Sequence, residues 1–291
     1  MRRNKYSRRQ FIARSLAAGI GLAAIDHMHL PDLYSRERMK FGLVTYQWGR
    51  DWDLPTLIAN CEKTGYKGVE LRTEHAHKVE INLNSIQREE VKKRFADSNV
   101  KCIGYGSNFE YHDPDPAKLR DNIVKTREYI KLCSDIGATG IKVKPNDLPD
   151  GVPREKTIAQ IAAALNEVGR FAVDFGQVVR VEAHGNHTQE LPNMKAIFEQ
   201  VTQSNVRLCW NCNDTDLLPP GLEGNFSSVK RWIGDTLHVR ELDSADYPYR
   251  QLFGLLSKIE YKEWILLEAR TEPADRIAAM KQQKQLFDGL I

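Results

Sequence analysis

The sequence predicts an α/β chain folded as a single-domain (β/α)8, or TIM, barrel, and three observations carry that expectation. Eight short apolar or β-branched runs recur along it: Lys40–Tyr46, Gly68–Arg72, Val100–Gly106, Gly140–Lys144, Val178–His184, Val206–Asn211, Thr236–Leu242 and Trp264–Ala269. Their starts lie 28 to 40 residues apart, the length of one strand-plus-helix unit, and such alternation argues for a parallel sheet. No composition shift or flexible linker divides residues 39–291, and eight such units close into a barrel of about 250 residues.

The segments between the strands support the count. Ala117–Ile136 sets Leu119, Ile123, Ile130 and Cys133 at helical spacing, with Lys and Arg on the other face. Thr157–Phe175 does the same with Ile158, Ile161, Ala162, Leu165, Val168 and Phe171. These stripes read as the faces that pack on the sheet, and Gly137 and Gly176 follow as helix stops.

The first 24 residues stand apart from this pattern. They hold six basic residues (Arg2, Arg3, Lys5, Arg8, Arg9 and Arg14), no acidic one, and an apolar run of ten from Leu16 to Ile25 begins within them. A basic n-region, a short h-region and small residues at its end read as a secretory signal, and ten residues are too few to cross about 30 Å of hydrocarbon. Ser7-Arg8-Arg9-Gln10-Phe11-Ile12 resembles the twin-arginine export motif, which implies a periplasmic or otherwise exported protein cleaved near Ala23 or Ala24. No Cys follows the h-region, so no stable membrane anchor is expected. Residues 25–38 read as a polar linker.

The 291 residues contain 42 Lys+Arg against 39 Asp+Glu, a net charge of +3. Taking the six signal residues away leaves 36 basic against 39 acidic, a net charge of −3, so the basicity belongs to the signal and no phosphate-tracking patch remains. Nucleic acid is therefore not an expected partner; the small-molecule reading is compatible with a homo-oligomer. The five cysteines (Cys61, Cys102, Cys133, Cys209 and Cys212) are odd in number and scattered. They read as buried thiols rather than a disulfide or zinc framework.

In a barrel of this kind, chemistry gathers at the C-terminal ends of the strands. Period-two alternation in Val178-Val-Arg-Val-Glu182-Ala-His184 puts Glu182 and His184 on one side. Strand six ends in Asn211-Cys-Asn-Asp214, strand seven carries His238, strand eight ends at Glu268, and strand two adds Glu70 and Arg72. Carboxylate, amide or carboxylate, imidazole and carboxylate on four successive strands suit Mn²⁺, Mg²⁺, Co²⁺ or Zn²⁺. Lys142 and Lys144 share one face of strand four, where Lys144 would bond a substrate hydroxyl or carboxylate or form a rim salt bridge. Trp48, Phe109 and Trp210 are candidates for an aromatic platform under a bound ring. His75, His77 and His112 read as solvated or structural.

Gly65-Tyr-Lys-Gly68-Val-Glu70, Val181-Glu182-Ala-His184-Gly185, Leu237-His238-Val-Arg240-Glu241 and Leu267-Glu268 resemble the sugar phosphate isomerase/epimerase family with the xylose isomerase-like TIM barrel. The resemblance spans residues 39–291 and implies a divalent metal held by Glu182, Asn211, His238 and Glu268. Asn211-x-x-Asp214 departs from the family's D-x-x-H, and Asp214 or Asn213 could substitute for Asn211. The resemblance implies catalysis by Glu182 and Glu268, and substrate contacts from Glu70, Lys144, His184, Asp214 and Arg240.

Moving a proton at a carbon beside a carbonyl needs a base and a cation for the developing enediolate. The expectation is an exported, metal-dependent sugar isomerase or epimerase. The same groups could expel a leaving group β to a ketone, as a 3-keto-glycoside lyase would. A metal-dependent endonuclease on the same barrel type would need more His ligands than this chain holds. A non-catalytic periplasmic sugar-binding protein is the remaining alternative, which Asn211 supports.

Overall fold

The computed structural model describes residues 39–291; the expected signal at 1–24 and the linker at 25–38 lie outside the described residues. Strand and helix alternate eight times: β1 (Lys40–Val44), α1 (Leu54–Thr64), β2 (Gly68–Arg72), α2 (Ser85–Ala96), β3 (Lys101–Glu110), α3 (Pro116–Asp135), β4 (Gly140–Lys144), α4 (Arg154–Val173), β5 (Val178–Glu182), α5 (Leu191–Phe198), β6 (Val206–Asn211), α6 (Leu222–Val229), β7 (Ile233–Val239), α7 (Tyr249–Lys258), β8 (Trp264–Leu267) and α8 (Arg276–Asp288). Each strand pairs in parallel with the next, and β8 pairs with β1 to close the barrel. The expected fold class is the observed one.

Local sequence fixes where the elements start and stop. The Asp53 side chain accepts from the Thr56 N–H at 2.8 Å to cap α1, Asn84 and Gln87 form a capping box on α2, and Asp275 caps α8. Gly137 and Gly176, with φ of 77° and 63°, follow α3 and α4 as expected. Five strands differ in extent from the sequence expectation. β1 and β8 each stop two residues early, at Val44 and Leu267. β3 runs on to Glu110, with an irregular register against β4 between Gly106 and Glu110. β7 begins at Ile233, three residues early, and β5 stops at Glu182, leaving His184 on the loop.

Apolar side chains divide into two clusters. The larger one fills the layer between sheet and helices; the smaller one, Val44, Ile103, Trp264 and Leu266 with Tyr46 against it, lies on the inward face of the β1, β3 and β8 side. The remaining interior is polar. At its floor the fully buried Arg180 donates to Asp235 at 2.8 and 2.6 Å, to the Ile103 carbonyl at 2.9 Å and to Thr139 Oγ1 at 2.8 Å. Gly104 and Gly140 leave it room: a Cβ on either would come within 2.5 to 3.0 Å of the guanidinium. Arg180 therefore closes one end of the barrel.

All five cysteines are buried and unpaired. Burial drives the thiols of Cys61, Cys102, Cys133 and Cys212 far above their ordinary range, which makes them inert packing groups. No helix among the described residues is long and apolar enough to cross a membrane.

Candidate active site

The site is built around His238 on β7, whose ring is fully buried between three carboxylates. Its Nε2 lies 3.2 Å from Glu70 Oε1, and its Nδ1 lies 3.4 Å from Glu182 Oε1 and 3.7 Å from Glu268 Oε2. Burial alone would push the imidazole down. Cys209, Glu70 and Glu182 outweigh it and hold His238 well above the ordinary range. Neither ring nitrogen nor either Glu70 oxygen completes a hydrogen bond. Glu70 fits here because Gly106 has no side chain; a Cβ there would lie 2.5 Å from Glu70 Oε1.

Each of the other two carboxylates spends one oxygen on a cation and turns the other toward His238. Glu182 Oε2 accepts from Lys142 Nζ at 2.6 Å, and the two side chains are 1% and 0% exposed. Lys142 Nζ is steered by the Ser107 carbonyl at 3.2 Å. Glu268 Oε1 accepts from Arg72 Nη1 at 2.9 Å; Arg72 also donates to Asn108 Oδ1 at 3.1 Å and lies over the Tyr46 ring. Burial would raise Glu182, but Lys142, His238 and Lys144 hold it far below the usual carboxylate range. Burial and Glu182 would raise Glu268, and His238 and Lys142 reverse that.

Above this layer opens a cavity of about 250 Å³, lined by Tyr46, Gln47, Arg72, Lys144, Glu182, His184, Glu268 and Arg270. His184 Nδ1 meets Asn146 Oδ1 at 2.8 Å, while Asn146 Nδ2 donates to Glu110 Oε1 at 2.7 Å. With its amide so committed, Asn146 presents an acceptor, so His184 carries its proton on Nδ1 and keeps the Nε2 lone pair. Burial lowers His184 below its ordinary range. The turn that makes this contact requires Gly185: its φ is 94°, and a Cβ would collide with the Asn146 carbonyl.

The sequence-expected residues therefore sort by depth. Glu182, Lys144, His184 and Glu268 line the cavity. Glu70 and His238 lie beneath it, fully buried. Asn211 is buried beside them, paired in register with His238, and its Nδ2 has no partner. Asp214 is turned away: it starts a 3-10 turn with its side chain 83% exposed and pairs only with Arg240, at 3.5 Å. The geometry does not bring Asp214 or Arg240 to the cavity lining. Trp48 and Trp210 are buried in the core and Phe109 packs against it, so the expected platform is not formed by them; Tyr46 is the aromatic ring at the mouth.

Arg270, Gln47 and the Asn146–Glu110 pair were not among the expected contacts, and Arg72, noted at the end of strand two, was given no substrate role. Arg72 was accessible from the pattern, since on β2, β4 and β5 the residue two places after a buried polar one reaches the mouth: Glu70 and Arg72, Lys142 and Lys144, Glu182 and His184.

A divalent cation fits the ligand atoms. Metals held at about 2.0–2.2 Å by oxygen and nitrogen place neighbouring ligands roughly 3.0–3.5 Å apart. His238 Nδ1 lies 3.4 Å from Glu182 Oε1 and 3.7 Å from Glu268 Oε2, close to that spacing; the three residues' ligand atoms all lie within 4.8 Å of one another, and His238 Nδ1 has no competing hydrogen bond.

A family model for the xylose isomerase-like TIM barrel matches residues 58–215, more than half of the chain. The chain belongs to that family. Among curated relatives of the family, the inosose dehydratase of Clostridium tetani is 19% identical over 283 residues, covering 83% of this chain and 93% of the relative. Among solved structures, the 3-keto-D-glucoside 4-epimerase of E. coli superposes with a TM-score of 0.72 at 15% identity, over 86% of this chain and 100% of that one. An L-ribulose 3-epimerase gives 0.74 at 17% identity, over 87% and 94%. The zinc-bound IolI protein gives 0.71 at 15% identity, over 87% and 98%. These likenesses share the xylose isomerase-like fold.

Proposed function

We propose that this chain is a carbohydrate-modifying enzyme, a divalent-metal-dependent sugar isomerase or epimerase that moves a proton at a carbon next to a carbonyl. The observation that carries the reading is the convergence of Glu182 Oε1, Glu268 Oε2 and His238 Nδ1 at the base of a cavity the size of one sugar ring. The relatives' names, which include epimerases and a dehydratase, support a sugar or glycoside as substrate.

Glu182, His238 and Glu268 would hold the cation, with Asn211 beside them. When bound, the cation supplies positive charge to the carbonyl oxygen that becomes anionic as the neighbouring C–H proton leaves. Lys142 and Arg72 fix the two glutamates, and Lys142 and His238 keep them ionised, so each presents a lone pair able to take that proton and return it. His184 Nε2, neutral and fixed in tautomer by Asn146, accepts a hydroxyl proton at the rim. Arg180 and the buried floor exclude water from below.

A second reading, loss of a group β to a ketone as in a 3-keto-glycoside lyase, uses the same groups and is favoured by the likeness to a dehydratase. The Ser7–Ile12 pattern supports export by the twin-arginine route. The test is incubation with Mn²⁺ and a panel of ketoses, aldoses and 3-keto-glycosides in D₂O. Deuterium at a sugar carbon is expected, and Glu268→Gln should abolish it. No exchange and no product with any member, together with indifference to chelator, would leave a sugar-binding protein instead.

A further inference from the structure

The charges around the cavity do not cancel. Arg72 is matched by Glu268, and Lys142 by Glu182. Glu70 faces His238. Arg240 pairs with Asp214 away from the lining. Two lining cations are left without any side-chain hydrogen bond or ion pair among the described residues, Lys144 and Arg270. Glu241 spends Oε1 on the backbone N–H groups of Arg270 and Thr271 and on the Thr271 hydroxyl, and Glu272 meets Arg50 at 3.4 Å.

Lys144 is the telling one, because the residue is only 8% exposed. Its ammonium faces the cavity and meets no carboxylate, whereas Lys142 one turn of the pleat deeper is met by Glu182; a largely buried cation is ordinarily paired. Burial, then Lys142, push Lys144 down to about 8, a displacement that an incoming anion would reverse. Arg270, exposed at the same rim, adds a second positive charge.

We infer that the sugar bound here is anionic and carries a carboxylate that pairs with Lys144 and Arg270. The inference rests on the reading of the cavity as a sugar site and narrows it to sugar acids such as uronates. A carboxylate and a phosphate ester share the required charge. The carboxylate is the more compact of the two and suits a cavity of about 250 Å³, which at ~30 Å³ per water holds about eight waters.

The experiment is calorimetric titration of the purified chain with D-glucuronate and D-galacturonate, each beside its neutral counterpart, D-glucose or D-galactose, and with glucose 6-phosphate. At least one uronate should bind tenfold or more tightly than its neutral counterpart; Lys144→Met should erase the difference and Lys144→Arg should retain most of it. Uronates binding no more tightly than the neutral sugars, a preference that survives Lys144→Met, or tightest binding of the phosphate ester would each overturn the proposal. Wild-type titrations decide the first and last of these without any variant. Deuterium exchange on the same samples separates the two readings. Lys144-dependent uronate binding without exchange sinks the proton-transfer reading alone, and exchange on neutral sugars with no uronate preference sinks this one alone.

Discussion

Replacing Lys142 by Met removes an ammonium while keeping most of its stem, and tests whether the floor of the site is a balanced ionic layer. Lys142 and Glu182 are almost completely excluded from solvent and meet at 2.6 Å. Removing one partner of such a pair leaves an uncompensated buried charge, which costs about 3–5 kcal/mol. At about 2–4 °C per kcal/mol for a domain of this size, the melting temperature at pH 8 should fall by roughly 6–20 °C. The loss should depend on pH in a defined direction. Glu182 in the native chain lies below the ordinary carboxylate range, so its stabilisation is complete above the unfolded value of about 4.3 and is lost as pH falls through the lower folded value. Without Lys142, burial loses its largest counterweight, Glu182 moves up, and protonation relieves the penalty. The deficit of the variant against wild type should therefore shrink between pH 8 and pH 5. Urea and thermal melts at both pH values measure it. The double variant Lys142→Met/Glu182→Met should recover at least half of the loss, since neutral packing can replace a buried pair. A single-variant deficit under about 1 kcal/mol at pH 8, or a double variant no more stable than the single, would refute the reasoning.

Three further outcomes follow from the geometry. Mn²⁺ or Zn²⁺ at 100 times its dissociation constant should stabilise the chain by about 2.7 kcal/mol, chelator should reverse this, and His238→Ala should remove it; a melting curve indifferent to metal would count against the ligand set. Gly185→Ala should destabilise by about 1–3 kcal/mol, because the turn needs φ of 94° and a Cβ would meet the Asn146 carbonyl; calorimetry showing an unchanged midpoint would contradict the His184–Asn146 arrangement. Changing both Arg8 and Arg9 to Lys in the full-length chain should retain it in the cytoplasm, and fractionation finding it exported as before would sink the twin-arginine assignment.

The barrel was legible because its signal is redundant: eight strand-like runs at unit spacing survive errors of two to four residues at their ends, such as those at β3, β5 and β7. The metal-type cluster was legible for a similar reason, since alternation fixes which side chains of Glu182, His238 and Glu268 point inward. Depth was not. Alternation tells inward from outward but not floor from mouth, so Glu70 was taken for a substrate contact when Arg72, two residues on, reaches the cavity. Asp214 was misplaced because a 3-10 turn begins at that residue and swings it outward, and no periodicity marks such a turn. Trp48 and Trp210 looked like a sugar platform, yet Trp210, next to Asn211 on β6, alternates to the outward face and packs on Phe226, and Trp48, four residues past the end of β1, is buried in the same core layer. Asn146 and Arg270 come from loops, where sequence spacing says nothing of distance.

Arg180 seals the barrel at one end with four hydrogen bonds and two glycines that make way for it. The cavity is thus a blind shaft with a single door. Whatever enters must leave by the way it came, so product departure and the arrival of the next molecule compete for one opening.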